Sequence, residues 1–473
     1  MSASREQFGS RLGFILAAAG SAVGIGNLVG FPVGAAKNGG GAFLLMYAIF
    51  VFLICLPVMM AEMSVGRKTH KDPLGAYSTL SSGAGHWKLA GWLSIITPFM
   101  IAVFYLVITV WLFGYLFQSA TGNLTYLADP NTFGEFVNAP WIFVYMVAVL
   151  AVVYLILQGG VKQGIEKAAK LLMPTLFVML IILVVFVLTQ DNAMEGVKFY
   201  LVPDISKIDA AVVNGALSQA FFSLSLGMGI MITYGSYISD QDDVPGSAKL
   251  VALTDTAVAF IAGLMILPAI FSFNPATNPD ELSESSVGMI FTFLPKIFLA
   301  LQATIGYVGA SFVASFFFLL VFFAAITSLV SIFEVPVAAY MDERKVSRKK
   351  ALVVLGIMLV VMASLAALSF GISPMLTEFV SYAGQSKSLF DVIYDVFYDT
   401  VLPLNGLLIC IFVIYRWKKA NFNAELDKGS PKYRGSWFEK YVDFSVGTFI
   451  PLILLVIFVN TVALKYFGTA LIG

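Results

Sequence analysis

Residues 20–30 read GSAVGIGNLVG, and residues 224–229 read LSLGMG, so glycine interrupts two apolar stretches, one in each half of the chain. Glycine lowers helix stability by about 1 kcal/mol per residue relative to alanine. Both stretches are otherwise apolar enough to form buried helices. The sequence therefore predicts two helices that lose their regular form partway along their length.

The composition around these stretches is that of a membrane protein. Of the 473 residues, 59% are hydrophobic and 12% are charged, whereas soluble domains carry about 25% charged residues. Apolar stretches long enough to cross a bilayer recur, for example at 43–60, 257–273 and 449–462. The alternative, a large soluble protein with buried helices, would need far more polar surface than this chain offers.

The apolar pattern predicts an all-α polytopic membrane protein that forms a single domain over residues 1–473. We expect 11 transmembrane helices, the spans, at roughly 11–36, 41–65, 89–121, 139–158, 165–190, 211–238, 247–273, 303–341, 350–369, 388–415 and 437–467. Interrupted spans in corresponding positions of two halves are typical of inverted-repeat transporters with a binding site at mid-membrane. The repeats would cover about 11–190 and 211–415, and about 437–467 would be an extra helix.

Charge position predicts the orientation. An odd number of spans places the two termini on opposite sides. With a cytoplasmic N-terminus, 22 of the 28 Lys and Arg residues lie inside, as the positive-inside rule requires. The six outside would be Lys37, Lys198, Lys207, Lys296, Lys387 and Lys465. The polar segment before the first span does not have the form of a cleavable signal.

Other classes of function are disfavoured by composition. The net charge is zero, so no overall field favours nucleic acid. Two cysteines and two histidines provide neither a disulfide framework nor a metal-ligand cluster. An enzyme is the first alternative class, but the spans contain no Ser-His or Cys-His constellation, and His70 and His86 fall in one loop. We therefore expect no enzymatic activity and no nucleic-acid partner.

Unwinding within a membrane has a chemical consequence. Free backbone carbonyl and N–H groups are tolerated there only where they face an ion, a substrate or water. Carbonyl oxygens suit a hard cation, and the N-terminus of a half-helix attracts a carboxylate. Together these groups fit a zwitterion bound with sodium. The alternative is that Gly20 and Gly24 only allow close helix packing.

Polar residues inside the spans add to this interpretation. Asn27 and Asp255 both lie inside apolar spans. An acid at the centre of a span costs about 2.5 to 3.5 kcal/mol, so Asp255 should have a cation or a hydrogen-bond donor as its partner. A structural hydrogen bond to a neighbouring helix is the alternative. Thr327 and Ser328 are adjacent in another apolar span, where bonding back to their own helix is the commoner use of hydroxyls.

Four segments together resemble the neurotransmitter:sodium symporter family, in particular its bacterial amino-acid transporter branch. They are RLGFILAAAGSAVGIGNLVGFPVGAAKNGGGAF (11–43), GGVKQGIEKAAKLLMPTL (159–176), FFSLSLGMGIMITYGSYISDQDD (221–243) and FFAAITSLVSIFE (322–334). The resemblance covers spans one to eight and is loose beyond them. It implies a leucine-transporter-like fold, a 5+5 inverted repeat with helices 1 and 6 unwound at mid-membrane plus one extra helix, in the bacterial inner membrane.

The resemblance also implies site residues. A first sodium site would comprise Ala22, Asn27, Ser223 and Asp255, and a second would comprise Gly20, Val23, Ala324, Thr327 and Ser328. Substrate contacts would come from Ala22, Gly24, Gly26, Ile101, Tyr105, Phe222, Ser223, Ser225, Met228, Ser328 and Ile332. Gate residues would be Tyr105, Phe222 and Asp395 on the outside, and Arg5, Asp342, Ser236 and Tyr237 on the inside, where Arg5 and Asp342 would form an exposed ion pair. Core packing is the alternative for Ile101, Phe222, Met228 and Ile332, and solvation without pairing for Arg5 and Asp342.

Departures from the family pattern carry information of their own. Gly24 replaces the aspartate of monoamine carriers, so the substrate should bring its own carboxylate. Gly30 replaces the outer-gate arginine, and we expect Asp395 to lack its cationic partner. Asp255 replaces an asparagine that lies near chloride in chloride-dependent relatives, so its charge would substitute for chloride. Met228 replaces a common aromatic residue, which favours aliphatic or sulfur-containing substrate side chains.

The sequence thus predicts a sodium-coupled symporter that imports a small amino acid by alternating access across a lipid bilayer. We expect two sodium ions and no chloride requirement. A proton-coupled amino-acid transporter and a non-transporting amino-acid sensor with the same pocket are the alternatives. The sequence leaves the amino acid, the sodium stoichiometry, proton countertransport and the oligomeric state open.

Overall fold

The fold is a bundle of long apolar helices. A computed structural model describes residues 5–83, 85–273, 289–469 and 471. In this part of the chain, nine helices are long and apolar enough to cross a membrane. They are Gly41–Thr69 (span 2), Gly85–Ala120 (span 3), Trp141–Gln158 (span 4), Gly160–Leu188 (span 5), Val244–Ser272 (span 7), Gln302–Arg344 (span 8), Arg348–Leu368 (span 9), Leu389–Arg416 (span 10) and Trp437–Phe467 (span 11).

Two further apolar segments are interrupted. Span 1 consists of Arg11–Ala22 and Gly26–Lys37, which are bent by 53° at the break and make a tenth span when taken together. Span 6 consists of Ala210–Ser223 and Ile230–Gly235. Its halves are too short to cross a membrane singly, so the predicted total of 11 and the repeat boundaries stay predictions. Both predicted breaks are confirmed in the backbone.

Shorter elements connect the spans. The helices are Pro73–Leu80, Leu124–Leu127, Thr132–Val137, Ala193–Leu201, Leu294–Ala300, Pro374–Thr377 and Lys419–Asp427, with a 3-10 turn at Ile205–Lys207. Short π-helical segments occur at Gly26–Gly30, Val51–Cys55, Gly160–Glu166, Met289–Phe293, Tyr394–Val401, Phe412–Arg416 and Ser445–Phe449. Strands Val380–Tyr382 and Gln385–Lys387 form an antiparallel hairpin in which Val380 is opposite Lys387. Its two-residue turn, Ala383 and Gly384, has positive φ angles, as tight hairpins require.

Helix starts follow local chemistry. The Ser10 hydroxyl accepts the Gly13 N–H at 3.0 Å and caps span 1. The Asp209 carboxylate accepts the Val212 N–H at 2.8 Å and caps span 6. Side-chain caps of this kind satisfy N–H groups that have no partner within the helix.

Burial separates the inner spans from the outer ones. Of the most apolar stretch of spans 3 and 8, 78% is buried, compared with 28% for spans 4 and 11. Spans 3 and 8 pack along each other beside the two broken spans, whereas exposed Val144, Val147 and Leu155 of span 4 face outward. Outward apolar surface of this extent suits lipid. Spans 3 and 8 therefore form the interior of the bundle together with the interrupted spans.

Candidate functional site

The break in span 1 frees backbone carbonyls in the interior. The first half ends at Ala22, and Val23 is extended with φ −73° and ψ 102°. The Val23 N–H still donates to the Ala19 carbonyl at 2.7 Å, but the regular ladder stops there. Ala22 and Val23 are buried. Carbonyls near this point therefore need partners from other helices.

The break in span 6 uses left-handed residues. Ser225, Gly227 and Gly229 have φ angles of 55°, 74° and 66°. A Cβ on Gly227 would lie 2.4 Å from the Leu402 carbonyl oxygen, so glycine is required there. Ser225 is strained in this left-handed conformation, because it is not a glycine. The Ser225 hydroxyl donates to the Ser21 carbonyl at 3.0 Å, and this hydrogen bond joins the two breaks.

A carboxylate cluster lies where the breaks meet span 7. It consists of Asn27, Tyr47, Ser223 and Asp255, all buried. The Asn27 amide donates to Asp255 Oδ1 at 2.7 Å and to Ser223 Oγ at 2.9 Å. Ser223 Oγ donates to the carboxylate at 2.9 Å, and the Tyr47 hydroxyl donates to Asp255 Oδ2, also at 2.9 Å. The structure thus brings together three of the four residues predicted for the first sodium site.

A hydroxyl cluster lies against the end of the first half of span 1. It consists of Thr327 and Ser328 with the carbonyls of Gly20, Ser21 and Val23. Ser328 Oγ lies 3.5, 3.1 and 3.3 Å from those three oxygens, respectively. Thr327 Oγ1 bonds back to the Ala324 carbonyl at 3.0 Å. Every residue predicted for the second sodium site therefore lies in this cluster or is bonded to it. Its oxygen-only composition suits a hard cation.

Tyr105 and Phe222 close around the first break. The Tyr105 hydroxyl accepts the Ile25 N–H at 3.3 Å. A Cβ on Gly24 would lie 2.7 Å from both the Tyr105 hydroxyl and Ser328 Oγ, and one on Gly26 would lie 3.0 Å from the Phe222 ring. The two glycines therefore allow both aromatic residues to approach the backbone closely.

Three of the four apolar candidates are buried. Ile101, Met228 and Ile332 are exposed by 3% or less. Burial is expected both of core residues and of residues lining a closed pocket, so their contact with substrate stays a prediction. Ser225 and Ser328, by contrast, contact the backbone of span 1 directly.

Sequence patterns did not identify three residues that hold the breaks. Gln219 donates to the Gly26 carbonyl at 2.9 Å. The Glu62 carboxylate accepts the Gly227 N–H at 2.7 Å, and the Asn405 amide donates to the Gly227 carbonyl at 2.8 Å. Tyr47 was missed as well. Glu62 and Tyr47 were detectable in principle, because each is a polar residue within a long apolar span.

The predicted inner gate is assembled. The Arg5 guanidinium contacts the Asp342 carboxylate, donates to Ser236 Oγ at 2.8 Å and lies 4.8 Å from the centre of the Tyr237 ring. We expected an exposed ion pair here, but only 14% of the Arg5 side chain is exposed. Burial and the neighbouring Asp342 carboxylate raise the pKa of Asp72, which adjoins this pair, to about 7.

The expectation that Asp395 lacks a cationic partner is wrong. Lys465 of span 11 lies 3.0 Å from Asp395 Oδ1, and Lys387 of the hairpin lies 3.5 Å from Oδ2. The Tyr382 hydroxyl also donates to Asp395 at 2.8 Å. The correction has a physical reason. Partners 8 and 70 positions away along the chain meet Asp395 only after the hairpin and the last span have packed.

Two helices broken at mid-course, with buried clusters of oxygen atoms at the breaks, define the class of membrane transporters with discontinuous helices. The comparisons with known proteins identify the family. A family model described as the sodium:neurotransmitter symporter family matches residues 5–139 and 138–469. The chain belongs to this family, and it is a transporter and not an enzyme.

Individual relatives support the family assignment. The chain is 32% identical to an uncharacterised sodium-dependent transporter, YhdH, of Bacillus subtilis, over 98% of each chain. It is 33% identical to an uncharacterised sodium-dependent transporter of Methanocaldococcus jannaschii, over 95% of this chain and 89% of that one. The crystal structure of MhsT in complex with L-phenylalanine matches with a TM-score of 0.83 and 38% identity, over 96% of this chain and 99% of MhsT. The leucine-transporter-like fold is thereby confirmed.

Proposed function

We propose that this chain is a sodium-coupled symporter that imports an amino acid by alternating access. The observation that carries the proposal is the carboxylate cluster, in which Asn27 of span 1, Ser223 of span 6 and Asp255 of span 7 share hydrogen bonds. A cation there would bind groups from both broken helices at once. Its binding would therefore favour the arrangement in which those helices are together.

Two sodium ions are proposed, one at each cluster. The carboxylate cluster would bind the first through Ala22, Asn27, Ser223, Asp255 and the substrate carboxylate. The hydroxyl cluster would bind the second through carbonyls of span 1 and span 8 and the hydroxyls of Thr327 and Ser328. Asp255 supplies a fixed negative charge beside the first ion, so transport would not require chloride.

The substrate would lie between Tyr105, Phe222 and the breaks. Its carboxylate would accept a hydrogen bond from the Tyr105 hydroxyl and face N–H groups of the unwound backbone. Gly24 offers no negative charge to an amine. The site therefore suits an amino acid, which brings its own carboxylate, better than a monoamine. Ile101, Met228 and Ile332 would contact its side chain. The solved relative is in complex with L-phenylalanine. Aromatic amino acids should therefore be tested as substrates together with aliphatic and sulfur-containing ones.

Release would follow opening of the inner gate. The Arg5–Asp342 pair ties the segment before span 1 to the end of span 8. Opening would require this pair to separate, and because the Asp342 side chain is still 31% exposed, we expect a smaller cost than for a fully buried pair. The first half of span 1 would then move away from Ser328 and expose both ions and substrate to the cytoplasm.

The test is uptake into proteoliposomes containing the purified protein. We expect radiolabelled amino acid to accumulate when sodium is imposed outside, and equally with chloride or gluconate as the anion. Accumulation driven by a pH gradient without sodium would instead support a proton-coupled transporter. Sodium-dependent binding without accumulation would support a sensor.

The proposed orientation places the N-terminus in the cytoplasm of a bacterial cell and the C-terminus outside. Thr121 and Lys349 are exposed and would lie on opposite sides. An impermeant maleimide applied to intact cells should label a Thr121→Cys variant, and a Lys349→Cys variant only after permeabilisation. The reverse pattern would overturn the orientation while leaving the transport proposal intact.

A further inference from the structure

Span 10 carries two carboxylates one turn apart beside the outer mouth, which is the predicted opening of the substrate site to the outside next to Phe222. Asp395 and Asp399 belong to its π-helical segment Tyr394–Val401. Their side chains are only 5% and 20% exposed. Two like charges at this spacing repel each other on a helix, and partly buried acids need cations or donors. The pair therefore depends on partners from outside span 10.

Lys465, in the last turn of span 11, meets both acids. Its ammonium nitrogen lies 3.0 Å from Asp395 Oδ1 and 2.6 Å from Asp399 Oδ2. Lys387 lies 3.5 Å from the other oxygen of Asp395. The formal charges of the two carboxylates and the two lysine ammonium groups therefore cancel. Among the described residues, Lys465 is the one cation within ion-pair distance of Asp399.

The same segment of span 10 touches the residue proposed to cover the substrate. Tyr398, next to Asp399, contacts the Phe222 ring edge-on with centroids 4.4 Å apart. Tyr398 also stacks on Tyr394 at 4.5 Å, and Tyr394 contacts Phe104 at 5.2 Å. A displacement of span 10 would therefore be transmitted to Phe222 and to span 3 beside Tyr105.

An open cavity of about 420 Å³ adjoins this contact and separates the aromatic rings from span 11. It is lined by Ser218, Phe222, Tyr398, Asp399, Leu454 and Lys465, among others. The Lys465 side chain is 34% exposed, so the ion cluster is only partly buried. A partly buried ion cluster can separate and reform during a transport cycle, whereas a fully buried one would resist opening.

We propose that Lys465 is the positioning residue that closes the outer face of this transporter, by holding Asp395 and Asp399 so that Tyr398 presses Phe222 over the substrate. The closing charge thus comes from the last span and not from span 1, where Gly30 has no side chain to offer. The inference rests on the proposed function, because closing matters only if a substrate is bound beneath Phe222.

The test measures the escape of bound amino acid. The purified protein is loaded with sodium and a mixture of the radiolabelled common amino acids, and it is then diluted into the same sodium concentration with excess unlabelled amino acids. Because Lys465 holds the closed arrangement in this proposal, Lys465→Gln should release the bound label about tenfold faster than the parent protein.

Two matched variants separate this role from general damage. Lys465→Arg keeps the charge and should release the label nearly as slowly as the parent. Lys198→Gln removes an exposed lysine that pairs with Glu195 on the same predicted side, and should leave the release rate unchanged. Sodium-dependent amino-acid binding at equilibrium, measured in each variant, shows that the protein is folded.

The outcomes distinguish the two proposals. If Lys465→Gln binds amino acid with sodium and releases it as slowly as the parent, the role of Lys465 is overturned while the symporter stands. If the parent does not bind amino acid with sodium, the proposed function itself fails. Faster release with binding retained supports the assignment.

Discussion

The two oxygen clusters at the breaks differ in charge, and that difference indicates how each would bind a cation. The carboxylate cluster contains Asp255, fully buried and bonded to Asn27, Tyr47 and Ser223. The hydroxyl cluster contains only neutral oxygens around Ser328. A bound cation would neutralise the first cluster but leave a net positive charge in the second. The first should therefore bind sodium more tightly and depend more strongly on a single side chain.

Asp255→Asn should have the largest effect, because it removes the only formal charge of the carboxylate cluster. We expect the half-saturating sodium concentration for uptake to rise about 100-fold, equivalent to roughly 3 kcal/mol. Uptake as a function of sodium in gluconate measures this. Asp129→Asn, in an exposed loop, is the control. An unchanged sodium dependence would show that the two clusters do not differ as proposed.

Gly24→Ala tests whether the hydroxyl cluster tolerates any added volume. The new Cβ would lie 2.7 Å from Ser328 Oγ and the Tyr105 hydroxyl, and overpacking of this kind costs about 1 to 3 kcal/mol. We expect amino-acid affinity to fall about 30-fold.

Gly26→Ala is the matched control for that substitution. It adds the same methyl group, but 3.0 Å from the half-buried Phe222 ring, which can rotate away. The loss of affinity should be about threefold or less. Equal losses from the two substitutions would contradict the close approach of Ser328 and Tyr105 to Gly24.

Ser328→Ala removes the hydroxyl that faces three carbonyls of span 1. Without a counter-charge nearby, the cluster has only oxygen dipoles to offer, so we expect about tenfold weaker sodium binding, or roughly 1.4 kcal/mol. Ser331→Ala provides the comparison, because the Ser331 hydroxyl bonds within its own helix to the Thr327 and Ser328 carbonyls. Sodium titration of amino-acid binding should separate the two variants.

Tyr47→Phe should have the smallest effect. It removes one of the donors to Asp255 but leaves Asn27 and Ser223 in place, so we expect a sodium shift of about fivefold, or ~1 kcal/mol. The same titration measures it. A shift as large as that of Asp255→Asn would mean that the phenol, and not the carboxylate charge, dominates the cluster.

Local signals predicted the helices and their breaks well. Apolar length located the long spans within a few residues, since lipid requires continuous helices whose backbone groups are paired internally. Glycine clusters located both interruptions, because unwinding is cheapest where no side chain stabilises the helix. The position of Asp255 inside an apolar span was enough to indicate that its carboxylate needs a partner.

The partners themselves were decided by packing. Tyr47 joins the carboxylate cluster because span 2 passes beside span 7, and no local pattern encodes that distance. Lys465 and Asp395 are 70 positions apart, and the hairpin with Lys387 completes their cluster only in three dimensions. Sequence therefore determined which segments cross the membrane and where two of them break, since these follow from the cost of bare backbone in lipid. Which charges meet at the outer mouth depended on how the separate helices packed together.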